Sequence, residues 1–332
     1  MHMADGLIAP AVAGVMYAAS AAAAVYSVKK VRGEDSKKVP LMGIMGAFVF
    51  AVQMINFTIP GTGSSGHLCG GMLLSAILGP YAAFLTMISV LLIQCLMFAD
   101  GGLLALGCNI WNMAFYGCFI GYLCVYRPIA KNSASKGKII AGSVMGSVIG
   151  LQVGAISVVI ETILSGVTEI PFGAFAALMQ PIHLAIGIGE GLITAAVLVF
   201  VHNARPELLN DANTAKNRMS YKKMLVILTA AAMLTAGGLS LAASANPDGL
   251  EWSIEKITGT TDVETDGGIC NAASGIQDTT SVFPDYAFSG SDSAAGTSVS
   301  GILGCGVVAA VCIGGCYAFK LFKKKKGAKI NA

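Results

Sequence analysis

The sequence predicts an all-α, polytopic membrane protein, and three observations predict it: composition, long apolar runs and the placement of the basic residues. Hydrophobic residues fill 55% of the 332 positions and charged residues only 12%, whereas soluble domains are roughly a quarter charged. Runs of about 18 or more apolar residues cross a bilayer. Helices and closed barrels are the only spanning forms that satisfy their own backbone groups, and uninterrupted apolar runs exclude the alternation of a barrel.

Nine runs follow along the chain, at residues 8–28, 39–57, 68–78, 81–98, 103–126, 138–163, 171–201, 223–244 and 300–321. The third is too short to cross unless it is tilted or re-entrant. It should end at Gly79-Pro80, where the glycine stops one helix and the proline starts the next. Basic segments fall at 29–38, 127–138, 205–223 and in the tail from Lys320. With the N-terminus outside, all four lie on the cytoplasmic side, and Lys256 is the one basic residue that does not. That is the positive-inside pattern. A cleaved signal peptide over residues 1–24 is disfavoured, because the charges follow the apolar run instead of preceding it.

The polar stretch 203–223 divides the chain into a core at 1–202, with seven runs, and a module at 224–332 with two. The module carries an outer loop at 245–298, rich in Asp, Ser, Thr and Gly, and ends in a basic cytoplasmic tail. Such a loop is either a small ordered domain or largely mobile. Seven of the nine cysteines lie in or beside apolar runs and read as small hydrophobes; Cys69 and Cys270 lie near the outer face without an evident local partner.

This topology places the start "MHMADG" on the same side as His67 in "PGTGSSGHLCGG". A free amine followed by His is a chelator: the Met1 amine, the deprotonated His2 amide and the His2 Nδ1 close fused five- and six-membered rings around one ion. His67 supplies a fourth nitrogen if its loop folds over the N-terminus, and four nitrogens in a plane suit Ni(II) or Cu(II). Glycines in that loop let backbone approach backbone. Met1 is expected to be retained, because residue 2 is large. With ordinary pKa values, protons compete for the amine and for both imidazoles.

The same residues carry a family resemblance. "MHMADG", "NFTIPGTGSSGHLCGG", "LLIQCLMFADGGLLALGCNIWNM" and "HLAIGIGEG", over about residues 1–202, resemble the CbiM/NikM-type substrate-binding subunits of energy-coupling-factor cobalt and nickel transporters. "NPDGLEWSIEKI" and "FPDYAF" resemble the PDGLE domain found beside or fused to them. The resemblance implies a seven-helix core that holds Co(II) or Ni(II) on Met1, His2 and His67, with no prosthetic group. It implies import at the prokaryotic cytoplasmic membrane with a transmembrane coupling subunit and two cytoplasmic ATPases, supplying cobalamin biosynthesis or nickel enzymes. The partners so implied are the ion, the bilayer and these subunits, with no nucleic acid. No GxxxxGK[ST] P-loop is present, so ATP hydrolysis falls to the partners. Cys69 departs from the family, where many relatives carry a small or aliphatic residue; it reads as a packing residue, with a soft ligand for a captured metal as the alternative.

Ionisable groups inside a membrane are functional candidates by default. Glu190 and His183 lie two turns apart on the seventh run; they either line a path or, as favoured here, play a structural role. Asp100, Asn109 and Asn112, with Ser65 of the loop, are candidate partners that orient the ligands. Gly187 and Gly191 fit close helix packing. Two rival functions remain. An intramembrane metalloenzyme needs an activating base beside the metal, and no HExxH-type pair is present. A metal sensor needs a cytoplasmic output domain, whereas the inner loops are short.

Overall fold

The computed structural model describes residues 1–31, 39–130, 135–209, 219–261, 263, 267–288, 290 and 293–330. Apolar helices form where the runs lie: α1 (Pro10–Val31), α2 (Val39–Gln53), α3 (Gly71–Leu78), α4 (Pro80–Phe98), α5 (Leu106–Ala130), α6 (Lys136–Ser165), α7 (Phe172–Ala204), α8 (Tyr221–Gly237) and, at the end of the chain, Ala294–Ile330. Among the described residues six helices are long and apolar enough to cross a membrane. The 15 residues of α2 and the 8 of α3 fall short of that length. The short third run is therefore a buried helix, and it ends as its sequence dictates. Gly79 takes φ +84°, and Pro80, lacking the N–H that a first turn leaves unpaired, opens α4.

Of the polar linker 203–223, residues 210–218 lie outside the described set. Helix α7 runs through its first residues to Ala204, and the segment closes on Ser220, which caps α8. Helix α6 lies along α7 and against α5. Their crossing is as close as the glycines suggested: a Cβ at Gly191 would stand 2.5 Å from the Val144 Cα, and one at Gly187 would stand 3.0 Å from that of Val148.

The described residues of the outer loop are ordered. They fold into α9 (Gly249–Thr258) and α10 (Gly268–Thr280), followed by a turn at Pro284–Tyr286; the last helix, α11, is Ala294–Ile330. Asp248 starts α9 with a capping box, accepting from the Leu250 and Glu251 amides while Glu251 accepts from the Asp248 amide. Leu250 and Ile254 are buried, so α9 docks by its apolar stripe, and its neighbour is α7. Helix α11 packs on α2 and α8. Cys305 and Cys312 are buried there. Their packing role agrees with their place in an apolar run.

Candidate metal centre

The amino terminus is pulled into the bundle end by backbone recognition. The Met3 amide donates to Asn109 Oδ1 at 2.7 Å, while Asn109 Nδ2 and the Gly102 amide donate to the Met3 carbonyl at 3.1 and 2.9 Å. The Ala105 amide donates to Asp5 Oδ1 at 3.0 Å. Glycine is required at 102, because a Cβ there would lie 1.8 Å from Asp5 Oδ1. The "ADGG" turn and Asn109 thus exist to seat the tail, and Met1 ends up only 4% exposed.

His67 is delivered by a hairpin. Strands β1 (Phe57–Ile59) and β2 (Ser64–Gly66) pair antiparallel, with Thr58 opposite Ser65, around a turn in which Gly61 and Gly63 take φ +78° and +77°. The chain after His67 is held by Glu190, which accepts from the amides of Cys69 and Gly70 at 3.0 Å each, and by Gln53, which donates to the Cys69 carbonyl at 2.8 Å.

These two elements meet. The Met1 amine lies 3.0 Å from His67 Nε2, and the rings of His2 and His67 stack with centroids 5.1 Å apart. His67 Nδ1 is 3.0 Å from the Leu68 carbonyl, which can only accept, so Nδ1 carries the proton and Nε2 keeps its lone pair. Burial, the amine's charge and His2 push the His67 imidazole down to about 3, so it stays neutral and ready to bind an ion. Burial alone would lower the amine, but the charge and hydrogen bond of Asp248 outweigh it and hold the ammonium above its usual 8.0. His2 Nδ1 lies 3.0 Å from Asp100 Oδ1, and Asp100 also accepts from the Tyr286 hydroxyl. His2 Nε2 is buried without a partner among the described residues. Burial would raise the Asp100 carboxyl, yet His2 and Tyr286 bring it well below the usual range.

A cavity of about 750 Å³ opens beside His2 and His67. Among the described residues five carboxylates line it, from Asp5, Asp100, Asp248, Glu251 and Asp285, and no Lys or Arg does. Such a vestibule concentrates cations. Among the described residues no three His, Cys, Asp or Glu side chains form a metal-binding group. What comes together here is the Met1 amine and the two imidazole rings of His2 and His67, nitrogen groups of the kind that late first-row divalent ions take.

The other candidates divide. Asp100 touches His2, and Asn109 holds Met3. Asn112 donates to Glu161 at 2.7 Å and reaches only the Met3 sulfur, 3.6 Å away. Ser65 turns from His67 and donates through Oγ to the Asn246 carbonyl at 2.8 Å. The Cys69 thiol is buried and pushed well above its usual pKa by that burial and by Glu190. His183 donates from Nδ1 to the Met179 carbonyl at 2.8 Å and abuts Gly249, while Glu190 serves the loop, a structural use of both. Three residues were missed: Asp248, Tyr286 and Gln277, all from the outer loop. Motif spacing carried no sign that this loop folds back onto the core; the run "NPDGLE", a capping signature before an apolar stripe, was the one available signal.

Residues 2–208 match the family model described as the cobalt uptake substrate-specific transmembrane region, CbiM, and residues 222–321 match that of the PDGLE domain. The chain belongs to the CbiM family. It is 37% identical over 316 residues to a protein of Archaeoglobus fulgidus that carries the name "Putative fused nickel transport protein NikMN", covering 94% of this chain and 96% of that one. A cobalt transport protein CbiM of Geobacter sulfurreducens is 28% identical, covering 77% of each chain. Among solved structures, a truncated transition metal transporter superposes with a TM-score of 0.54 at 34% identity, over 61% of this chain and 99% of that one. This CbiM-family chain therefore carries a PDGLE domain after its CbiM region, and the relatives it resembles are named as nickel or cobalt transport proteins.

Proposed function

We propose that this chain is the substrate-specific subunit that captures Co(II) or Ni(II) through the Met1 amine, the His2 amide and imidazole, and His67 Nε2. It would work as the core 1–202 joined by the linker 203–223 to the PDGLE module 224–332. The observation that carries this reading is the burial of a charged amine at 3.0 Å from an imidazole held neutral with its lone pair turned inward. A buried charge is costly unless it is paired, and Asp248 pairs this one; what favours an ion site is that an amine and imidazole nitrogens are brought together. The fused nickel transport protein supports the choice of ion. The distribution of Lys and Arg favours an N-terminus outside and a C-terminus in the cytoplasm of a prokaryotic cell. Transport inward then falls to a coupling subunit and two ATPases, which feed cobalamin or nickel-enzyme assembly.

Metal titration of the full chain tests this. His2→Ala and His67→Ala should each abolish tight Ni(II) and Co(II) binding, because one breaks two chelate rings and the other removes the ligand that closes them. Cys69→Ala should retain most of it, since its thiol is buried and protonated. A His67→Ala variant that binds like the parent refutes the site. Uptake by cells with and without the coupling subunits, cobalt against nickel, tests the division of labour.

A further inference from the structure

We infer that the PDGLE module is a loading latch on the metal centre: Asp248 and the Tyr286–Asp100 pair hold two donor atoms away from chelation, and an incoming ion must displace both. This rests on the reading of Met1, His2 and His67 as donors.

Asp248 divides its carboxylate between two tasks. Oδ1 accepts from the Leu250 and Glu251 amides at 2.7 and 3.0 Å, which fixes the side chain at the start of α9. Oδ2 is left to face the centre, where it pairs with the Met1 amine and stands 3.8 Å from His67 Nε2. Held this way, the amine points its hydrogens at a carboxylate and offers no lone pair. The second donor is held in parallel. His2 Nδ1, the atom that would close the six-membered ring, is turned to Asp100 Oδ1 at 3.0 Å. Tyr286 donates to the other Asp100 oxygen and is itself fixed by Gln94 Nε2 at 3.2 Å and by Ser300 Oγ on its carbonyl at 2.7 Å. Asp285 and Tyr286 take φ +51° and +59°, a strained backbone for residues with side chains, such as persists where the surroundings enforce it.

The module also grips the loop that carries His67. The Ser65 amide donates to the Pro247 carbonyl at 2.8 Å, Ser65 Oγ donates to the Asn246 carbonyl, and Trp252 Nε1 donates to the Thr62 carbonyl at 3.0 Å. Asp248 therefore moves with the hairpin. Movement of β2 that would reseat His67 against an ion carries the bolt with it, so opening the latch and closing the chelate are one mechanical event.

Two variants separate a latch from a ligand or a fold element. Asp248→Asn keeps the helix cap, which Asn fills as well as Asp, but removes the charge facing Met1. Tyr286→Phe keeps the ring that stacks on Phe98 at 4.7 Å and removes only the hydroxyl. With purified full chain and Ni(II) as probe, stopped-flow absorbance should show Asp248→Asn loading about tenfold faster or more, because a site competent only in its open fraction gains when the closed state is weakened. Tyr286→Phe should shift in the same direction, and the loaded absorption spectrum should match the parent. An unchanged rate overturns the latch. Weaker binding with an altered spectrum also overturns it, since Asp248 would then be a ligand. His67→Ala measured alongside keeps the two readings apart. Lost binding in His67→Ala with unchanged Asp248→Asn kinetics refutes the latch alone, and intact binding refutes the donor set beneath it.

Discussion

Metal loading should release at least two protons at pH 7, and the affinity should fall at least about a hundredfold for each pH unit below it. Two groups set this lower bound. Asp248 holds the Met1 amine above its usual 8.0, so at pH 7 it enters the reaction as ammonium and must lose one proton. The His2 amide loses another when it becomes a ligand. His67, pushed down to about 3, is already neutral and loses none. Two protons released correspond to about 2.7 kcal/mol of binding free energy per pH unit, at about 1.36 kcal/mol each. The sign follows from the direction of the shift. A raised amine pKa means that proton competition is complete below 8 and fades only as pH passes the raised value, so affinity should still be climbing at pH 8. Ordinary imidazole values predict a further steepening near pH 6.5 from His67; burial removes it. Calorimetry in buffers of different ionisation enthalpy counts the protons, and chelator competition from pH 6 to 8 gives the slope. A count near zero, or an affinity flat between pH 7 and 6, refutes the amine and amide as donors.

Glu190→Ala should leave the Cys69 and Gly70 amides buried without an acceptor, at about 1–3 kcal/mol for each; thermal unfolding should drop and Ni(II) titration should show weakened binding, with Glu190→Gln losing less. Labelling at residue 270 by an impermeant thiol reagent and a reporter fused at residue 325 should place the first outside and the second in the cytoplasm; the reverse would put the metal centre in the cytosol.

The sequence made the helices legible because each is a long apolar run bounded by charge, and made α3 legible because Gly79-Pro80 leaves no other place to end it. The centre of the site was legible for a different reason. The proposed chelate of Met1 and His2 is set by covalent geometry, so only the approach of His67 depended on the fold. What surrounds them was not. Ser65 was expected beside His67 and instead clamps the outer loop, and Asn112 serves Glu161. Both are short polar side chains whose partner depends on which way one rotamer turns, and no periodicity records that. Asp248 lies 181 residues beyond His67 in the chain, and its contact with Met1 needs the module docked against α7 first.

That docking bears on why the two parts share one chain. A latch has to open, and the contacts at the centre itself are polar: Asp248 on Met1, Tyr286 on Asp100, Gln277 on the Gly101 carbonyl and Trp252 on Thr62, beside the apolar stripe of α9 on α7 and the Tyr286 ring on Phe98. Two separate proteins joined only by such contacts would spend most of their time apart. Fusion changes this, because covalent linkage supplies an effective concentration on the order of millimolar, and the packing of α11 on α2 anchors the module on the core side independently of the site. The outer contacts are then free to be tuned for release. A mutation that strengthened them, adding an apolar contact between α9 and the hairpin, should stabilise the fold and slow loading together, because the free energy that holds the module down also keeps Asp248 on the amine.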